Sequence, residues 1–222
     1  MLKRMVSGEN KVDPMLASSY LVDRLRRLWG LANPNEKDAP EGKMAELWSE
    51  KSGLPPKSER NAIELRLKTL KKAIATSTVA VFPVRVSGKS DELATARLAE
   101  LLTRTGFGRA EAISTSLKLD IKPNTNQLRI VWDTARAFQD FLRKNPPAAD
   151  YALLADYGIG HLPDGKMLVG GVQFIVCDRK GDWVLIALRN DHHADFQRIN
   201  PQSPDDCNRL VVEALKQAAS KL

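Results

Sequence analysis

The sequence predicts an α/β (α+β) fold: a mixed β-sheet in the order β-α-β-α-β-β-β-α, preceded by an N-terminal helical lobe of about three helices. Three observations predict it. Residues 1–76 carry only helical periodicity. From Thr78 onward, short β-branched runs alternate with amphipathic helical stretches. Two long apolar runs near the C-terminus are joined by "DRKG", in which Gly181 supplies a tight turn. The expected division is therefore a helical lobe over 1–76 and an α/β domain over 77–222.

The lobe begins with "DPMLASSYLVDRLRRLWGL", where Leu21, Val22, Leu25, Leu28 and Trp29 share a stripe and Gly30 stops the helix. "GKMAELWSEKSG" gives a short second helix. "SERNAIELRLKTLKKAIA" is the clearest of the three, with Ile63, Leu67, Leu70 and Ile74 on one face and Lys68, Lys71 and Lys72 off it.

"TVAVFPVRV" (78–86) reads as a short buried strand in which Pro83 requires an edge position or a bulge. "DELATARLAELLTRTG" is a helix with Leu93, Ala96 and Leu101 expected inward. "AEAISTSLKLD" (110–120) alternates Ile113, Thr115, Leu117 and Leu119 against polar residues, as a half-exposed strand does. "NTNQLRIVWDTARAFQDFLRKNP" is a helix with Leu128, Trp132, Ala135, Phe138 and Leu142 inward. Asn124 or Asn126 would cap it, and Pro146–Pro147 end it. Strands follow at 150–159, in "MLVGGVQFIVCD" and in "DWVLIALRN". The last helix opens with Ser203 at N-cap, Pro204 at N1 and Asp206 at N3, close to a capping box.

Composition excludes several classes. With 43% hydrophobic and 27% charged residues, the chain is an ordinary globular one. No run of eighteen apolar residues is present, so no transmembrane segment is expected. The basic start "MLKRMVSGENKVDP" has no apolar core, so no signal peptide is read in this chain; a trimmed secreted protein would begin the same way. The net charge of +7 sits mostly in the first third, where 15 basic residues face 10 acidic ones.

Candidate chemistry is sparse. "RNDHHADF" holds His192 and His193 between Asp191 and Asp195, on the loop leaving the last strand. Its first reading is a set of solvated loop residues bonded to neighbouring backbone. The alternatives are a partner-binding or pH-sensitive surface, and a metal or acid–base site. Adjacent histidines on an extended backbone point opposite ways, and zinc needs three or four ligands, so a metal site would have to recruit His161. "GKSDE" lacks the upstream glycine of a phosphate loop and reads as a turn with a helix cap. No GxSxG nucleophile turn exists. Cys177 and Cys207 are expected to be buried thiols, with a disulfide between them as the alternative in an oxidising compartment. Arg24, Arg26, Arg27, Lys68, Lys71 and Lys72 form a basic surface suited to phosphates, to an acidic protein or to lipid, unless they are only a solvated face.

Several of these segments carry a resemblance. "TVAVFPVRV" followed by a helix ending "LAELLTRTGF", then "AADYALLADYGI" and "VQFIVCDRKGDWVLIA", is similar to the TolB amino-terminal-like, CsgG-like and LpoB-like envelope domains. Asp178, Gly181 and Trp183 match that family's hairpin turn. The resemblance covers about 78–220; "GHLPDGKMLVGG" and "NDHHADFQRIN" depart from it. It implies a non-catalytic, periplasmic or otherwise extracytoplasmic module that binds a protein partner and needs no cofactor. The alternatives are a nucleic-acid-binding protein that uses the basic N-terminal helices, and a small metal-dependent enzyme built on the Asp191–His193 loop. A cytoplasmic location goes with either.

Overall fold

The structure is a computed structural model that describes residues 57–115, 117, 119, 127–161 and 165–220. These lie in the compact unit Pro55–Leu222. The first two expected helices, with Arg24, Arg26, Arg27, Asn124 and Asn126, lie outside the described residues.

A seven-stranded mixed sheet forms the middle layer. Its strands are β1 (Thr78–Val81), β2 (Val84–Val86), β3 (Lys89–Asp91), β4 (Arg109–Ala112), β5 (Tyr151–His161), β6 (Met167–Asp178) and β7 (Trp183–Arg189). The helices are α1 (Lys57–Ala73), α2 (Glu92–Arg104), α3 (Gln127–Lys144), α4 (Ala194–Ile199) and α5 (Pro204–Ser220). The mixed α/β class read from the sequence is the one observed.

β5 is the hub. One edge pairs antiparallel with β6, which pairs antiparallel with β7. The other edge pairs parallel with β1 and then with β2. Val81 faces Leu153 and Arg85 faces Asp156, so four steps on one chain oppose three on the other. That is a bulge at Phe82–Pro83, the second of the two placements the proline allowed, and it divides the expected strand 78–86. Beyond it, β2 turns back into β3 through Ser87 and Gly88, both at positive φ.

β4 stops early. Among the described residues of the expected strand over 110–120, strand pairing belongs to β4 alone, which ends at Ala112, with one further bond from Ile113 N to Val81 O at 3.0 Å. Past Val81 the neighbouring chain enters the bulge, so the ladder has no partner to continue on. Ile113, Leu117 and Leu119 still pack inward, which is why their alternation resembled a strand.

The sheet separates two cores. On one face, Val79, Val81, Leu153, Tyr157, Phe174 and Val176 pack with α1, α2, α4 and α5. On the other, Ala80, Phe82, Leu154, Ile175 and Trp183 pack against Ala135, Phe138 and Leu142 of α3. In α2 the buried stripe is Ala94, Leu98, Ala99 and Leu102, while Leu93 is 60% exposed. The stripe expected through Leu93 and Ala96 is thus rotated toward Ala94, Leu98 and Leu102, the side that meets the larger core, and Asp91 caps the helix through Ala94 N. Ser203 and Asp206 cap α5 as expected, with Asp206 N donating to Ser203 Oγ at 3.2 Å.

α1, which the sequence alone grouped with the preceding helices, packs on β7 and α5. Arg66 donates to Trp183 O at 3.0 Å, at the start of β7. Eight residues later, Ile74 O accepts from Gly108 N at 2.8 Å, beside β4. The helix therefore crosses the end of the sheet at which the parallel strands begin. Asp150 pins the same end: its carboxylate accepts from Thr78 N and Oγ1, both at 2.9 Å, and these bonds hold its pKa below the usual value.

Candidate functional site

The turn after β7 is held by its own polar groups. His193 N donates to Asn190 O at 2.9 Å, and the His193 ring nitrogen Nδ1 lies 2.8 Å from Asn190 Oδ1. His193 is the residue before α4, and its carbonyl accepts from Gln197 N. Asp195 is turned inward, with Oδ2 accepting from Arg189 Nε at 2.9 Å and Oδ1 from Phe196 N at 3.0 Å. Only Asp191 and His192 approach each other in solvent, at 3.7 Å.

His161 pairs with Met167 on β6, and Arg189, where β7 ends, pairs with Val172, so β6 stands between His161 and the strand that leads into this loop. Among the described residues no three His, Cys, Asp or Glu side chains are grouped to hold a metal ion. The structure gives His193 and Asp195 the roles of fastening the turn and the first turn of α4.

The two cysteines are free and buried, and the sheet lies between them. Cys177 belongs to the core under α3, and Cys207 to the core on the opposite face. The alternative of a disulfide therefore does not match this arrangement. Burial pushes the Cys177 thiol well up, and the Cys207 thiol up to about 12. Both are expected to stay unmodified by an aromatic disulfide reagent in native protein and to react stoichiometrically once it is unfolded in denaturant; fast native labelling of either would contradict their burial.

Of the expected basic surface, Lys68, Lys71 and Lys72 are exposed on α1.

An open groove of about 550 Å³, which no sequence motif announces, lies beside β4. Ala80, Phe82 and Ile113 contribute apolar surface from the sheet, and Phe141 with Asn145–Ala149 lines it from the end of α3 and the loop beyond. Phe82 is fixed edge-on between Phe138 and Phe141, with centroids 5.1 and 5.9 Å away. An Arg109–Glu111 ion pair stands beside it. α3 supplies most of the helical cover on this face, with Ile63 of α1 packed against the same core, and the groove lies past the end of α3 at Lys144, beside β1 and β4. No local motif marks such a place, because its lining comes from three separate stretches of chain.

The edge of β4 adjoins the groove. Arg109 N and Ile113 N donate to Ser77 O and Val81 O, so odd residues face β1. Peptide groups alternate along a strand, so Ala110 and Ala112 point outward. Ala110 N is bonded to Thr103 Oγ1 at 3.0 Å. Among the described residues none bonds to the outward N–H of Ala112.

Among the described residues no helix is long and apolar enough to cross a membrane. No protein-family profile and no curated protein matches the chain. Among solved structures, the chain is similar to the PelC dodecamer from Paraburkholderia phytofirmans, at 16% identity and a TM-score of 0.33. That likeness covers 64% of this chain and 86% of the other. It is also similar to a lipoprotein from Neisseria meningitidis at 13% identity and a TM-score of 0.30, over 65% of this chain and 99% of that one.

Proposed function

We propose that the protein is a non-enzymatic interaction module of the bacterial cell envelope, of TolB-like or CsgG-like character, that takes an extended segment of a protein partner along β4. The outward N–H of Ala112, whose hydrogen bond no described residue accepts, carries this reading, together with the groove beside it. A strand added at a sheet edge gains affinity from main-chain bonds and specificity from pockets for alternate side chains. Arg109, Glu111 and Ile113 face the groove, so every second residue of the added strand would fall into it. Apolar side chains suit Phe82 and Phe141 there. The envelope setting rests on the resemblance of residues 78–220, and with it goes the division into an N-terminal helical lobe and an α/β domain.

Ala112→Pro tests it. Proline removes the outward N–H but leaves the bonds of Glu111 and Ile113 to β1 in place. Peptides selected from a random library on the full chain are expected to bind at least tenfold more weakly to this variant, with its melting temperature unchanged. Selected peptides that bind both proteins equally would place the partner surface elsewhere.

A further inference from the structure

The end of the sheet crossed by α1 has a charge pattern that the peptide edge does not use. α1, α2 and α3 each feed a parallel strand through a short connection, so all three helix C-termini gather there. Each last turn is basic, as the helix dipole favours. The β6–β7 turn adds Arg179 and Lys180, because Asp178 pairs with Tyr151 at the start of β5. From β4 to β7 this end is five strands wide, about 20 Å.

The acids at this end are engaged except Asp140, exposed one turn before Lys144 on α3. Glu100 pairs with Arg104, and Glu111 with Arg109. Asp182 lies between Arg66 and Arg143, at 3.6 and 3.1 Å. Asp178 accepts from the turn's own N–H groups, and Asp150 from Thr78. Lys71, Lys72, Lys144 and Lys180 are exposed and have no ion-pair partner among the described residues. The end therefore carries uncompensated positive charge. Leu65, 67% exposed, lies on the side of α1 opposite its buried stripe, together with Lys68 and Lys72.

We infer that this end of the sheet docks on an anionic lipid surface. Lysines at several points of a broad end can engage several headgroups at once, and an apolar side chain among them enters the headgroup–acyl boundary. A nucleic acid backbone would use the lysines and gain nothing from Leu65. Ala112→Pro removes none of these lysines and should leave lipid binding unchanged.

Sedimentation of the full chain with vesicles tests this, using phosphatidylcholine alone or mixed with phosphatidylglycerol. Binding is expected only to the mixed vesicles and should fall as salt rises. The triple variant Lys71→Gln, Lys72→Gln, Lys180→Gln is expected to bind about a hundredfold more weakly at low salt, with an unchanged melting temperature. Leu65→Asn should also weaken it. The inference is overturned if mixed vesicles are not bound at low salt, or if the triple variant binds them as well as the parent. It is equally overturned if duplex DNA is bound as tightly as the vesicles and Leu65→Asn changes neither, an outcome that would assign the lysines to nucleic acid.

Discussion

Replacing Gly108 with alanine is expected to destabilise the protein by about 3 kcal/mol or more, an overpacking cost at the upper end of its usual range. A Cβ at this position would lie 2.3 Å from Ser77 O and 3.0 Å from Ser77 N, both main-chain atoms. Neither loop can yield freely. Gly108 N donates to Ile74 O, and Arg109 N donates to Ser77 O at 3.2 Å, so separating the loops breaks the bonds that start the β1–β4 pair. Urea unfolding should show the loss as a lower midpoint, equivalent to a melting temperature reduced by roughly 6–12 °C. Gly160→Ala is the control, because a Cβ there meets nothing within 4 Å. If Gly108→Ala falls within about 1 kcal/mol of that control, the close approach of the two loops is wrong.

Phe138→Ala is expected to cost about 3–5 kcal/mol. Phe138 is fully buried and meets Phe82 edge-to-face, with rings inclined at 82°. It sits near the middle of α3, packed against Ala80, Phe82, Leu154 and Ile175 of the sheet side. Phe138→Leu keeps most of the volume and should lose less than half as much. Chemical denaturation of the three proteins checks both values. Equal losses for Ala and Leu would mean that the ring's aromatic contacts, rather than its volume, hold the layer.

Local signals made much of the fold legible. Two apolar runs and a tight turn at Gly181 sufficed for β6 and β7, and a Ser–Pro–Asp–Asp start sufficed for α5. The errors arose where a distant partner decides the outcome. Nothing within 110–120 says that β1 ends at Val81, so apolar alternation over Ile113, Leu117 and Leu119 looked like a strand. Leu93 is large and periodic, which predicts an inward position, yet the face of α2 that meets the core runs through Ala94, Leu98, Ala99 and Leu102 and leaves it in solvent. α4 was missed because "ADFQRI" is too short for periodicity to register. For the site, the sequence offered the residues that look reactive, His161, Asp191, His192, His193 and Asp195. Concavity and unpaired main chain have no residue signature, so the groove and the β4 edge could be found only in three dimensions.

The bulge at Phe82–Pro83 acts as a phase setter. Strict alternation from Val79 would send Val84 to the α3 side and bring Arg85 to the side where Leu98 and Tyr157 are packed. One extra residue restores the count, so Val84 is buried with the larger core and Arg85 comes within 3.4 Å of Asp156. A deletion at Pro83 would therefore remove only the surplus residue: a regular strand from Val81 would still deliver Val84 and Arg85 to the same sides of the sheet, with Arg85 still opposite Asp156.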